Sequence, residues 1–210
     1  MTRPERGSSR YDAVGFDLLT ALLHTWTLWI AVAGDRDLGM RWHAASQAML
    51  RGRDYFPFED DLRRSAAEVG LTPDRAEELI RRWGEFDPWP DTVAALGALR
   101  AKRRFIVTNC SDRLAARAVA RLESEFELVM TAERAGAYKP DARPYQAAIE
   151  ALGVDPARVL FVAGSAHDVG GATRVGLDVY WANRGAAPAP TDGRAIRVEP
   201  DLRALIEVAG

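Results

Sequence analysis

Several side chains that can do chemistry follow short apolar runs, at points where the strands of a sheet would end. They are Asp17, Thr108, Asn109, Lys139, Ser165, His167 and Asp168. A single carboxylate in a loop usually meets solvent or caps a helix. A carboxylate beside an ammonium group stays ionised, and it can then attack a carbon or take a proton. The chemistry therefore depends on whether the fold brings these side chains together.

Apolar runs rich in valine, isoleucine and phenylalanine alternate with helical segments along the chain. This alternation predicts an α/β fold with a parallel, Rossmann-like sheet covered by helices on both faces. In such a sheet the strand ends meet at one edge, and ligands bind where the strand order reverses. The predicted strands lie at residues 14–16, 105–107, 128–130, 159–162, 179–181 and 196–198.

The segment between the first two strands is too long for one crossover and contains no convincing strand. Apolar residues recur near helical spacing in four stretches of it, at residues 25–33, 41–51, 58–69 and 73–83. We therefore predict a helical cap domain at residues 24–90, inserted into a core domain of residues 11–23 and 91–210. Residues 1–10 are polar, and we interpret them as a disordered tail rather than a signal peptide.

The composition of the chain limits the kinds of molecule that we expect it to bind. The chain has 28 basic and 30 acidic side chains and a net charge of -2, so no strong field of one sign exists to recruit nucleic acid or an anionic membrane. No apolar run is long enough to span a bilayer. The single cysteine, Cys110, cannot form an internal disulfide, which is typical of a reducing cytoplasm. We expect a cytoplasmic protein that acts on a small molecule.

Four motifs at the predicted strand ends resemble those of the haloacid dehalogenase superfamily, and within it the 2-haloacid dehalogenase branch. They are FDLLTAL at 16–22, VTNCS at 107–111, YKPDARPY at 138–145 and VLFVAGSAHDVGGA at 159–172. The resemblance extends from residue 11 to residue 184, and it implies that superfamily's core fold with an inserted helical cap.

The resemblance also implies roles for individual residues. Asp17 would be the nucleophile, Lys139 would pair with the carboxylates, and Asn109 would orient Asp17 or a substrate carboxylate. Asp168 would complete the catalytic set. The residues implied to contact the substrate are Leu18, Leu19, Thr108, Tyr145 and Ser165.

One departure from the superfamily limits the reactions that we expect of this chain. Phosphatases that the motifs resemble carry a second aspartate two residues after the nucleophile, as general acid and base, and here that position is Leu19. An apolar side chain cannot protonate a leaving alkoxide, so hydrolysis of phosphate esters is not expected. Halide and sulfate need no such proton.

Other departures separate this chain from an ordinary 2-haloacid dehalogenase. That branch has Gly-Thr where this chain has Thr20 and Ala21, which predicts the loss of a hydroxyl group near the nucleophile. The cap arginine of that branch aligns with His43, although Arg41 is close enough for a shift of register. Ser165 replaces an expected asparagine.

The three histidines are all expected to face the cleft. Histidine changes charge near neutral pH, so His24, His43 and His167 could receive an anion in place of the missing arginine or act as a base. The alternative is that they only satisfy hydrogen bonds. Trp42 could contact the substrate, or it could pack between the cap helices.

The sequence agrees with three different functions. The first is a hydrolase that displaces halide from an sp3 carbon of a small 2-substituted carboxylic acid through an ester on Asp17. The second is a biosynthetic enzyme in which an amine or hydroxyl of the substrate displaces halide or sulfate and closes a ring. The third is a binding subunit without catalysis, which would gain nothing from clustered carboxylates that repel each other.

No cofactor is expected to be required. Mg²⁺ could bind between the carboxylates of the first and fourth motifs, but Lys139 can neutralise that pair. The resemblance implies a homodimer, and a partner protein is possible.

Overall fold

A six-stranded parallel sheet forms the centre of the computed structural model, which describes residues 10–210. The predicted N-terminal tail therefore lies outside the described residues, except for Arg10. The strands are short, and the central ones are buried on both faces, as expected of apolar runs covered by helices. They are β1 (Ala13–Phe16), β4 (Arg103–Thr108), β5 (Leu128–Thr131), β6 (Val159–Ala163), β7 (Asp178–Ala182) and β8 (Arg197–Glu199).

The order of the strands creates one switch point, beside β1. Across the sheet the order is β5-β4-β1-β6-β7-β8, and every neighbouring pair is parallel. The chain moves outward from β1 to β5 on one side and then crosses back to β6 on the other. A crevice therefore opens at the carboxyl ends of β1, β4 and β6. The six strands predicted from the sequence are all present.

Four helices lie between β1 and β4, as the apolar spacing predicted. They are α1 (Trp26–Ala33), α2 (Arg36–Leu50), α3 (Phe58–Glu68) and α4 (Pro73–Arg82). We call these four the insert helices. The sequence predicted no strand in this segment, but β2 (Leu23–His24) and β3 (Asp87–Pro88) form a short antiparallel pair where the chain enters and leaves it. Two residues are too few to show the alternation that marks a strand.

The remaining helices cover the two faces of the sheet. Ser111 caps one of them by accepting a hydrogen bond from the Leu114 amide, and Gly153 ends another in the left-handed conformation. None of the helices among the described residues has the length and apolar character needed to cross a membrane. These helices are α5 (Thr92–Ala98), α6 (Asp112–Val119), α7 (Ala132–Ala135), α8 (Ala142–Leu152), α9 (Ala166–Arg174) and α10 (Leu205–Ala209).

Trp42 belongs to the core of the insert helices and does not reach the crevice. Its side chain is fully buried, and its indole N–H donates to Ser65 Oγ at 3.0 Å. The rings of Trp29 and Trp42 meet edge to face with centroids 4.8 Å apart. Of the two possibilities for Trp42, the structure favours packing between the helices over contact with the substrate, because Trp42 lies on the face of α2 that packs against α3.

A buried carboxyl group on α3 accepts a hydrogen bond from α2 at the same interface. Asp61 is fully buried; its Oδ2 accepts a hydrogen bond from Ser46 Oγ at 2.5 Å, and its Oδ1 has no partner among the described residues. Burial raises the pKa of Asp61 to about 7, although the hydrogen bond from Ser46 opposes the shift. The folded protein therefore keeps this carboxyl group protonated at a pH where the unfolded chain has lost the proton.

We expect Asp61→Asn to remove a pH-dependent loss of stability. Above pH 4 the unfolded chain releases the Asp61 proton before the folded protein does, so the free energy of unfolding of the wild type falls as the pH rises towards 7. The variant should become more stable than the wild type by about 1–3 kcal/mol at pH 8. Urea denaturation between pH 4 and pH 8 measures this, with Asp60→Asn as the control. A difference that stays constant with pH would contradict the prediction.

Candidate active site

Asp17 follows β1 directly and is held by the turn that comes after it. Leu18–Leu22 form one turn of π-helix, whose first amide groups have no partner within the turn. Asp17 Oδ2 accepts hydrogen bonds from Thr20 N at 3.0 Å, Thr20 Oγ1 at 2.7 Å and Ala21 N at 3.2 Å. The carboxylate is therefore fixed by three donors on one oxygen, and its other oxygen faces Lys139.

The Thr20 hydroxyl group corrects one expectation from the sequence. Ala21 lacks the hydroxyl of the resembled motif, which predicted the loss of a donor near the nucleophile. Thr20 supplies that donor from the preceding position. The room for it comes from Gly164, where a Cβ atom would lie 2.1 Å from Thr20 Oγ1 and 2.6 Å from Asp17 Oδ2.

Lys139 joins Asp17 and Asp168 into a buried cluster of three charged groups. Lys139 Nζ lies 2.8 Å from Asp17 Oδ1 and 3.1 Å from Asp168 Oδ1. The exposed fractions of the three side chains are 3%, 8% and 6%, so water screens these charges little. The fold thus brings together three residues from segments far apart in the sequence, at the edge that the strand order predicted.

The cluster separates the proton affinities of the two carboxylates. Burial would raise the pKa of Asp17, but the charge of Lys139 and the hydrogen bonds from Lys139 and Thr20 outweigh it, and the pKa is lowered. For Asp168 burial prevails, and the pKa is raised. The pKa of Lys139 is raised, since the two carboxylates outweigh its burial. Asp17 is therefore the carboxylate of the two that binds a proton less tightly.

Three neighbouring side chains hold Lys139 and Asp168 in place. Asn109 Oδ1 accepts from the Lys139 amide at 2.7 Å, and Asn109 Nδ2 donates to the Lys139 carbonyl at 3.3 Å. Tyr145 Oη donates to Asp168 Oδ1 at 2.9 Å. Ser165 caps α9 by accepting from the Asp168 amide at 3.3 Å. The expectation that Tyr145 lines the pocket is wrong, because it is fully buried behind Asp168.

A cavity of about 360 Å³ opens above the cluster, between the sheet edge and the insert helices. Its volume is typical of a site for a small molecule. Eight of the residues singled out from the sequence line it, namely Asp17, Leu19, His43, Asn109, Lys139, Ser165, His167 and Asp168.

Four further residues that the sequence placed at the substrate lie away from this cavity. Leu18 and Thr108 are fully buried, and Thr108 Oγ1 has no hydrogen-bond partner among the described residues. His24 stacks on Trp89 at the β2–β3 pair, with ring centroids 3.9 Å apart. Trp42 is the fourth, as described above. Motif spacing alone does not reveal which of these side chains turn away from the cavity.

Sequence reasoning missed other residues of the cavity wall. Gln47 lies on α2, four residues after His43, and Arg51 follows directly after the last residue of α2; helical spacing would have placed Gln47 on the same face as His43. Trp181 and Asn183 lie at the end of β7, where the strand-end rule could have indicated them. Only the folded structure shows that all four face the cavity.

His43 cannot supply the charge of the missing arginine. Burial lowers its pKa to about 4, so the ring is neutral at physiological pH. The pKa of His167 is also lowered, first by burial and then by the charge of Arg51. His43 therefore offers the cavity a neutral hydrogen-bonding ring rather than a positive charge.

The donor set does not fit a magnesium ion. Lys139 already contacts both Asp17 and Asp168, Tyr145 occupies an oxygen of Asp168, and Leu19 supplies no oxygen ligand from its side chain. Magnesium needs several oxygen ligands in octahedral geometry. Nor does any group of three or more His, Cys, Asp or Glu side chains in the described part of the chain form a metal site.

Comparison with known proteins indicates the same family as the motifs do. The family model described as haloacid dehalogenase-like hydrolase matches residues 16–176. An (S)-2-haloacid dehalogenase of Xanthobacter autotrophicus is 32% identical over 115 residues, which are 53% of this chain and 46% of that protein. A phosphatase of Mycobacterium tuberculosis is 31% identical over 161 residues, which are 73% of each chain. The matches to the first haloacid dehalogenases span about half of their lengths.

The fold is shared with a solved dehalogenase. The L-2-haloacid dehalogenase of Xanthobacter autotrophicus, with chloropropionic acid covalently bound, aligns with a TM-score of 0.80 over 94% of this chain and 98% of its own. At 23% identity this likeness concerns the fold alone. The family match covers most of the chain, and the chain therefore belongs to the haloacid dehalogenase-like hydrolases.

Proposed function

We propose that this hydrolase displaces halide from the sp3 carbon of a small 2-substituted carboxylic acid, through an ester on Asp17. The observation that carries the proposal is the pairing of an ionised Asp17 with Leu19 in the same cavity. Asp17 can attack, whereas Leu19 cannot protonate a leaving alkoxide. Halide leaves without a proton. This favours dehalogenation over phosphate ester hydrolysis, although relatives of both kinds match the chain.

The first step is an in-line displacement. An oxygen of Asp17 forms a bond to the substrate carbon as the carbon–halogen bond breaks, and the halide leaves with the bonding electrons. We assign the attack to Oδ1, because Oδ2 is held by the Thr20 and Ala21 amides and becomes the carbonyl oxygen of the ester. Those amides then stabilise the negative charge on this oxygen when water attacks the carbonyl carbon.

The second step uses the change of charge that the first produces. Esterification removes the charge of Asp17, which had raised the pKa of Asp168. Lys139 then pairs with Asp168 alone, and the pKa of Asp168 falls. An ionised Asp168 can take a proton from the attacking water and pass it to the alkoxide oxygen that leaves as the tetrahedral intermediate collapses, while Asp17 loses its remaining proton to the solvent. The products are a 2-hydroxy acid and free Asp17.

The site as proposed needs no metal or cofactor, since Lys139 supplies the positive charge between the carboxylates. We keep the cytoplasmic location and the homodimer as predictions. Halide release, measured below, also occurs in the ring-closing alternative, which yields a cyclic product instead of a hydroxy acid.

We expect the wild type to release halide from 2-chloro and 2-bromo acids without added metal. Asp17→Asn should abolish release, because an amide is a poor nucleophile. Asp37→Asn, an exposed change on α2, is the matched control and should retain the activity. Halide electrodes or ion chromatography follow the reaction with both enantiomers. Phosphate release from an aryl phosphate with no halide release would overturn the proposal.

Thr20→Val should move the acid limb of the pH–rate profile to higher pH. The Thr20 hydroxyl stabilises the ionised form of Asp17, so its loss raises the pKa of Asp17, and the fraction of attacking carboxylate falls at low pH. Loss of one hydrogen bond to a charged group corresponds to about 1–2 pH units. Thr20→Ser keeps the hydroxyl and should behave like the wild type. If both variants shift alike, the hydroxyl is not responsible.

A further inference from the structure

The cavity extends to both sides of Asp17 along the edge of the sheet. Asn109 follows β4, the neighbour of β1 on one side, whereas Trp181 lies in β7, two strands from β1 on the other side. The register of β1, β6 and β7 puts Asp17, Ala163 and Trp181 at one level of the sheet. Neighbouring strands lie about 4.8 Å apart, so about 10 Å separates the backbone at Asp17 from that at Trp181. A substrate carbon beside Asp17 can therefore carry a group that reaches towards β7.

The end of the cavity formed by β7 and the turn after it, which we call the β7 end, contributes no charged group to the described part of the wall. Its residues are Trp181, Asn183, Gly185 and Ala187. Elsewhere in the wall Asp17, Lys139 and Asp168 form the buried cluster. Arg51 comes just before a segment that pairs with residues 136–138, next to Lys139. The charges of the wall are therefore grouped around the reacting carboxylate, whereas the β7 end is neutral.

The turn after β7, at residues 183–187, is held in place by its own side chains. Asn183 Nδ2 donates to the Ala187 carbonyl at 2.9 Å, and Asn183 Oδ1 accepts from the Ala187 amide at 2.8 Å. Arg184 Nη1 donates to Asp91 Oδ1 at 2.7 Å, and its Nη2 donates to the Ala21 carbonyl at 2.9 Å. The turn is thus a fixed part of the wall, and the Asn183 amide is used within it.

Trp26 of α1 closes the β7 end from the side of the insert helices. A Cβ atom on Gly185 would lie 3.3 Å from Trp26 Cη2, so the turn already reaches the edge of this ring. On its other side Trp26 packs edge to face against Trp89, with ring centroids 5.5 Å apart. Trp89 Nε1 donates to the Thr20 carbonyl at 3.0 Å, and the Thr20 hydroxyl holds Asp17. Trp26 is therefore fixed next to the turn that carries the nucleophile of the proposed reaction.

The aromatic surface of the β7 end suits an aromatic group of a ligand. Both Trp26 and Trp181 line the cavity there. Aromatic rings attract each other edge to face or offset, which adds to the gain from burial. Each CH₂ group moved from water into apolar surroundings tightens binding about fourfold. The cavity volume of about 360 Å³ lies in the range of pockets for drug-sized ligands, so it has room for more than a three-carbon acid.

We propose that the β7 end, with Trp26 and Trp181, binds the side chain on the reacting carbon, so that the preferred substrates are 2-halo acids with a large aromatic side chain. This assignment rests on the proposed function, because it places the halogenated carbon beside Asp17. A benzyl group on that carbon extends towards β7 and contacts both indole rings, whereas a methyl group is too short to reach both.

The first test compares halide release from 2-bromo-3-phenylpropionate and from 2-bromopropionate, which differ by one phenyl group. The wild type should favour the phenyl acid in kcat/KM. Trp26→Ala, which removes part of the wall, and Gly185→Leu, which fills the space beside Trp26, should each lower the ratio of the two kcat/KM values about tenfold or more. Gly97→Leu, an exposed change on α5 where a Cβ atom meets open space, is the matched control and should leave the ratio unchanged. A wild type that prefers the smaller acid, or a ratio that neither Trp26→Ala nor Gly185→Leu changes, would overturn the assignment.

A binding measurement separates this assignment from the proposed chemistry. 3-Phenylpropionate and propionate carry no leaving group, and isothermal titration calorimetry measures the Kd of each. The phenyl acid should bind the wild type at least about tenfold more tightly than propionate. Gly185→Leu should remove most of that difference, and Gly97→Leu should keep it.

The halide assay and the binding assay can fail independently. If no halide is ever released but the binding difference is found and Gly185→Leu removes it, the proposed function fails and the aromatic subsite stands. Equal binding of the two acids, or a difference that Gly185→Leu leaves intact, would overturn the subsite, whatever the halide assay shows.

Discussion

The site depends on one ammonium group held between two buried carboxylates. Without Lys139, Asp17 and Asp168 would repel each other in a place where water screens them little. Removing one partner from a buried ionic group typically costs about 3–5 kcal/mol, because a charge is left uncompensated. The positions of Asn109 and Tyr145 follow from this constraint. Asn109 fixes the backbone of Lys139, and Tyr145 takes one oxygen of Asp168.

The same cluster is the basis of the displacement at carbon that we propose. The Lys139 charge and the Thr20 donors lower the pKa of Asp17, while burial and, to a smaller extent, the charge of Asp17 raise the pKa of Asp168. The two carboxylates thus differ in proton affinity because their surroundings differ, which suits the different tasks that we propose for them. Leu19 adds an apolar side chain to the cavity wall, and the insert helices cover the cavity from the other side.

The sequence predicted well the features that repeat along it or follow a rule of topology. Strands and helices appeared where apolar periodicity placed them, and the strand-end rule brought Asp17, Lys139 and Asp168 to one edge. Features that depend on the path of a few residues could not be predicted. The π-turn turns Thr20 towards Asp17, which compensates for Ala21, and the end of α2 at Leu50 leaves Arg51 at the cavity wall, which helical spacing alone does not show.

The most direct test of the account is the fate of oxygen from the solvent in one turnover. The protein, in excess over a 2-halo acid, is allowed to react in oxygen-18 water, and the peptide that contains Asp17 and the product are then analysed by mass spectrometry. Water that attacks the ester carbonyl leaves the label in Asp17 and none in the hydroxy acid. Label in the hydroxy acid but not in Asp17 would contradict the account, since water would then have displaced the halide directly. Halide release with label in neither would mean ring closure.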